Sequence, residues 1–142
     1  MKGYKKIARV LFAAALATAG SVGIAAGPVQ AAQNFDVCVG SACDLAYTQG
    51  TITWGNRTAD VTGSVFDSGQ GYTTAIFEAF AGSTKIDSET RTADDETSLG
   101  SPRGFNFNIG DPDLVGGIDR IKITVCITDS TQWCGSPVNY SK

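Results

Sequence analysis

Residues 120–128 read Arg-Ile-Lys-Ile-Thr-Val-Cys-Ile-Thr, and their alternation decides the fold class. Ile121, Ile123, Val125 and Ile127 share one face of an extended chain, while Lys122, Thr124 and Cys126 share the other. A period of two with β-branched residues on the apolar side is the pattern of a strand with one face in a core. The same grammar continues upstream. Phe105, Phe107 and Ile109 alternate, as do Ala59, Val61, Gly63 and Val65, and Phe35, Val37 and Val39. Thr51–Trp54 is rich in β-formers. Tyr72–Ala81 is apolar on both faces, with Ala75, Phe77 and Ala79 opposing Ile76 and Phe80, which predicts a central strand covered on two sides. Lys85–Thr92 is polar apart from Ile86 and suits an edge, where charge discourages pairing with other molecules. Nowhere does an apolar period of 3.6 persist long enough for a helix.

Turn chemistry separates these runs: Gly55-Asn56-Arg57, Asp67-Ser68-Gly69-Gln70-Gly71 and Gly82-Ser83 each end one strand and start the next. Seven or eight strands spaced in this way predict an all-β, two-layer antiparallel sandwich. The layout is similar to immunoglobulin-like, Greek-key domains in strand count and spacing, and a likeness at that level implies no activity.

The N-terminus predicts export. Lys2, Lys5, Lys6 and Arg9 precede an apolar run from Val10 to Ala19 that is too short to span a bilayer, and Val29-Gln30-Ala31 has the small residues that signal peptidase requires. Cleavage after Ala31 leaves a single domain of residues 32–142. It removes four of the eleven basic residues and none of the fourteen acidic ones, so seven face fourteen and the formal charge is −7. With its cations scattered, such a domain is a poor ligand for nucleic acid or for an anionic membrane surface. An extracellular monomer is the expected form. The alanine-rich leader and the small two-disulfide product resemble exported proteins of high-GC Gram-positive bacteria, among them protease inhibitors and chromophore-carrying apoproteins.

All four cysteines, Cys38, Cys43, Cys126 and Cys134, lie in the exported part, and an even count there predicts two disulfides. Their C-x4-C and C-x7-C spacings match no common zinc ribbon. Pairing within each spacing closes short loops that contribute about 2–2.6 kcal/mol apiece, against about 4.6 kcal/mol for a Cys43–Cys126 bridge. Proximity during oxidation favours the local pairs, with bridges between the terminal strands as the alternative.

The chain has no histidine, which removes Ser-His-Asp and Cys-His catalysis, and bridged cysteines remove thiol nucleophiles. Only carboxylate chemistry is left, the least favoured reading being a glycoside hydrolase. Glu78, inside an apolar strand, is the one acid whose burial would raise its pKa towards that of a general acid. The competing reading turns it outward beside a basic residue of a neighbouring strand. Asp94, Asp95 and Glu96, and Asp111, Asp113 and Asp119, are calcium candidates by their oxygen chemistry, although aspartate is also an ordinary turn former. No cofactor is expected.

Recognition is the function class that remains, with an extracellular glycan, a cell wall or a protein surface as its target. Trp133 beside Cys134, Tyr72 after a glycine-rich turn and Tyr140 near the end are the candidate binding aromatics. Trp54 and Phe77 are assigned to the core, which needs large rings to fill its thickness. The alternatives are a protease inhibitor presenting residues 98–103 around Pro102, and a small-ligand carrier. Asn56-Arg57-Thr58 and Asn139-Tyr140-Ser141 are glycosylation sequons, meaningful only in a eukaryotic host. Mass spectrometry of the secreted protein should find a chain that begins at Ala32 and is four hydrogens lighter than its reduced form; an intact Met1 or free thiols would contradict it.

Overall fold

The computed structural model describes residues 31–40, 43–67, 69, 71–94, 102–129 and 131–142. They form nine antiparallel strands: β1 (Ala32–Cys38), β2 (Ala46–Trp54), β3 (Thr58–Asp67), β4 (Tyr72–Ala81), β5 (Thr84–Asp94), β6 (Arg103–Gly110), β7 (Arg120–Thr128), β8 (Gln132–Cys134) and β9 (Val138–Ser141). One sheet has the order β1-β2-β3-β6. The other runs β5-β4-β7-β8, with β9 also on β7. The chain crosses between sheets from β3 to β4, from β5 to β6 and from β6 to β7, so the β3–β6 and β4–β7 pairs interlock as a Greek key. The expected immunoglobulin-like sandwich is therefore present, with β1 added outside β2.

Nine strands exceed the expected seven or eight, and the two shortest lie in the tail. β8 has three residues and β9 has four, too few for a period of two to register. Both are specified by β7, which aligns Ile127 with Trp133 and Cys126 with Cys134 at one end, and Ile123 with Val138 and Ile121 with Tyr140 at the other.

Ile121, Ile123, Val125 and Ile127 of β7 all face the core, as do Ala75, Phe77 and Ala79 of β4. Phe77 is the centre of that core. Its ring lies 5.9 Å from Phe35, 5.3 Å from Phe105 and 5.1 Å from Phe107, each edge to face, the orientation aromatic quadrupoles prefer. Space for these rings comes from two paired glycines. Gly50 of β2 stands opposite Gly63 of β3. A Cβ on Gly63 would meet Gln49 O at 2.2 Å and the Phe105 ring at 3.0 Å; one on Gly50 would meet the Phe35 ring at 2.8 Å. Trp54 is buried as well, its indole N–H donating to Gln33 Oε1 at 3.2 Å.

β4 is central, between β5 and β7, but its outer face has no covering layer among the described residues. Ile76 and Phe80 are half-buried there. The Arg120 guanidinium sits 4.2 Å from the Phe80 ring centroid and Lys122 Nζ 5.4 Å from it. Long basic side chains thus shield what the alternation alone assigned to a second apolar layer. β5 is an edge, as its polarity implied.

The disulfides are the local pairs Cys38–Cys43 and Cys126–Cys134. The second is wholly internal at Cys126 and spans adjacent, registered strands.

Replacing Phe77 by alanine should destabilise the protein by about 3–5 kcal/mol, and Gly63→Ala by at least about 1–3 kcal/mol because a methyl group has no room there. Serine at both Cys126 and Cys134 should cost about 2–5 kcal/mol. Denaturant unfolding measures all three; a Gly63→Ala protein as stable as its parent would contradict the proposed tightness of the glycine pair.

Candidate functional site

Directly paired residues on neighbouring antiparallel strands point to the same side of a sheet. Because Ile127, Ile123 and Ile121 face inward, Trp133, Val138 and Tyr140 lean towards the other sheet too, but from the margin where β8 and β9 overhang the core. Across that margin lies β1. Phe35 of β1 meets the Tyr140 ring at 6.2 Å, and the Asp36 amide donates to the Tyr140 hydroxyl at 3.4 Å. These contacts close one stretch of the seam. Beside them it opens into a groove of about 530 Å³, with Asp36, Cys38 and Gly40 on one wall and Trp133, Ser136 and Val138 on the other.

Each wall is held by its own disulfide. Cys38–Cys43 ties the end of β1 to the loop that leads into β2, and Cys126–Cys134 fastens β8 to β7. Gly135 joins them across the floor. Its amide donates to Val125 O at 2.9 Å, and a Cβ there would fall 2.4 Å from Cys38 O, so only glycine permits the two backbones to approach so closely. Trp133 is 46% exposed and Val138 37%, which makes this seam an apolar opening in an otherwise polar margin.

The three candidate aromatics therefore do not form one platform. Trp133 stands in the groove. Tyr140 is half-buried and packs against Phe35, so its ring belongs to the seam's closure more than to a free surface. Tyr72 is exposed but pairs with Thr128, whose side chain lies on the outer face of the second sheet, away from the groove. Asp36 was not singled out from sequence. Its place in the Phe35-Asp36-Val37 alternation marks it only as outward-facing, and nothing local brings it to a tryptophan almost a hundred residues later.

Among the described residues the acidic turns do not converge. Asp94 lies 3.5 Å from Arg103 Nη1 at one end of the sandwich. At the other end Asp111 Oδ1 accepts the Asp113 amide at 2.8 Å, and Asp119 Oδ2 accepts the Gly82 amide at 2.8 Å. The first of these two bonds is an ordinary Asx turn, and the second ties the segment before β7 to the turn after β4. Asp95 and Glu96 lie outside the described residues, as does most of the 98–103 loop. The described residues bring three metal-type donors together at Asp36, Cys38 and Cys43, where two are the sulfurs of a disulfide and hold no thiolate.

Glu78 turns outward, in agreement with the reading that gave it a basic partner. Lys122 Nζ is 2.6 Å from one carboxylate oxygen and Lys85 Nζ 3.3 Å from the other. The hydrogen bond from Lys122 is the largest influence and outweighs desolvation, so the carboxyl is held below its ordinary value. Burial pushes it up by less than the two lysines pull it down, so at neutral pH Glu78 is ionised and unable to act as a general acid.

The stability contributed by Glu78 is complete above the ordinary glutamate value of 4.5 and is lost as the pH falls through the lower folded value. Glu78→Gln should therefore cost about 0.5–1 kcal/mol at pH 7, the scale of a partly exposed ion pair, and the difference from the parent should shrink under acid. Urea titrations of both proteins at neutral and acidic pH measure this; a gap that grows on acidification would contradict it. No protein-family model, curated protein or solved structure matches the chain, so the groove stands on its own geometry.

Proposed function

We propose that the chain is a secreted, non-catalytic recognition module whose contact surface is the groove between β1 and the β8–β9 margin. Export rests on the leader, and two disulfides are compatible with an extracellular setting. The observation that carries the reading is Trp133, a half-exposed indole on a three-residue strand bolted to β7 by Cys126–Cys134. A large ring held in place before contact loses little conformational freedom on binding, which is how small rigid surfaces achieve useful affinity. The absence of histidine and the ionised state of Glu78 argue against turnover.

A small-ligand carrier is the second reading. It is favoured by the groove volume of about 530 Å³, within the span of about 300–1,000 Å³ usual for small-molecule sites. Against it, the groove is open along its length, and among the described residues only Trp133 and Val138 line it with sizeable exposed apolar side chains.

The test is to incubate the purified protein with insoluble polysaccharides and with secreted proteins from its own producer. Trp133→Ala should weaken the interaction by about 2 kcal/mol or more while thermal unfolding stays as in the parent. Equal binding by the variant would remove the groove from the proposal. Hydrolysis of a glycoside that disappears in Glu78→Gln would overturn the non-catalytic reading.

A further inference from the structure

We infer that the groove takes a neutral glycan chain, with the Trp133 indole stacked on a sugar ring and the Asp36 carboxylate accepting hydrogen bonds from its hydroxyls. The inference rests on the recognition reading and names its ligand class. A pyranose is amphipathic in a particular way, with C–H groups on its faces and hydroxyls around its rim, and the residues that line the groove suit that arrangement: Trp133 on one wall, Asp36 on the other, and Ser136 with the glycines Gly40 and Gly135 beside them.

Asp36 carries the polar half of the argument. Its side chain is exposed, and Cys38 Sγ lies 3.7 Å from its Oδ1. That sulfur is in a disulfide and has no proton to donate. Among the described residues no donor occupies the carboxylate, and its oxygens are the acceptors offered to vicinal hydroxyls. Ionised acceptors make the stronger class of hydrogen bond.

Charge narrows the choice further. Among the described residues no lysine or arginine lines the groove. The cations are engaged elsewhere: Lys85 and Lys122 with Glu78, Arg91 with Glu89, Arg103 with Asp94, Arg120 with Asn139 and Lys142 with the carbonyls of Gly55 and Asn56. A polyanion would find only the Asp36 charge, which repels it. A quaternary ammonium is recognised by several aromatic faces, and this groove offers one. A protein partner of ordinary size buries about 800 Å² on each side, far more than Trp133 and Val138 can anchor between them.

The test is retention of the purified protein on chitin, cellulose and an insoluble β-1,3-glucan, with carboxymethyl-cellulose as the anionic counterpart. The parent should be retained by at least one neutral polymer. Trp133→Ala and Asp36→Asn should each weaken retention by about tenfold or more, whereas Tyr72→Ala should not. Raising NaCl from about 0.05 to about 0.5 M should leave retention unchanged, because a neutral ligand forms no ion pair to screen. Both variants change exposed side chains, and Asp36→Asn keeps the shape of the residue, so its loss of retention cannot be ascribed to unfolding. No retention on any neutral polymer, retention that collapses in salt, or an Asp36→Asn protein that binds as the parent does would overturn the glycan assignment. If Trp133→Ala then still abolishes binding to a secreted protein, the recognition reading stands without the glycan; if it abolishes nothing, both fall.

Discussion

Strand β7 is hydrogen-bonded along both of its sides, to β4 on one and to β8 and β9 on the other, and the candidate site depends on that arrangement. Four β-branched residues, Ile121, Ile123, Val125 and Ile127, hold its inner face in the core, and slipping the register by one residue would turn all four into solvent. With β7 so constrained, the short tail strands have one available alignment. That alignment sends Trp133, Val138 and Tyr140 towards the seam and puts Cys134 opposite Cys126. A three-residue strand has almost no pairing energy of its own, and β8 persists because it is covalently fastened to a strand that cannot move.

The two glycines opposite each other in β2 and β3 play a complementary role in the other sheet. They remove side chains from the middle of the first layer, and Phe35, Phe77 and Phe105 occupy the space. Phe35 then carries the order outward. Its ring touches Phe77 on the core side and Tyr140 on the seam side, so the closed stretch of the seam is continuous with the densest part of the core. The groove starts where that packing ends, between walls that are each held by a disulfide.

Electrostatics separate the faces of the molecule. The outer face of the second sheet gathers Lys85, Arg120 and Lys122 around Glu78 and Phe80, using the basic stems to cover apolar carbon and the charges to satisfy one carboxylate. In the seam the acid has no such partner among the described residues. Asp36 and Glu78 are both carboxylates on strands of the same sandwich, and their difference in availability comes entirely from which strands lie alongside them.

Much of the fold is legible in the residue order because burial on one face imposes a period of two: the strands from β3 to β7, the edge character of β5 and the central place of β4 are local properties of Ala59–Val65, Lys85–Thr92 and Tyr72–Ala81. The local disulfides follow from short spacing, and the core positions of Trp54 and Phe77 from the need to fill a thin sandwich. The short spacing of Cys126 and Cys134 marks the β7–β8 hairpin, but β9 is not legible, since four residues carry no period and its existence is a property of β7. Nor is the bare outer face of β4, because Ile76 and Phe80 look the same in sequence whether a second layer or an arginine covers them. Tyr72, Trp133 and Tyr140 are equivalent in composition. Only tertiary structure sets one on the outer face, one in a groove and one against Phe35, and only tertiary structure brings Asp36 to Trp133, because a groove between two sheets is made by strands distant in the chain whose relative placement no local pattern records.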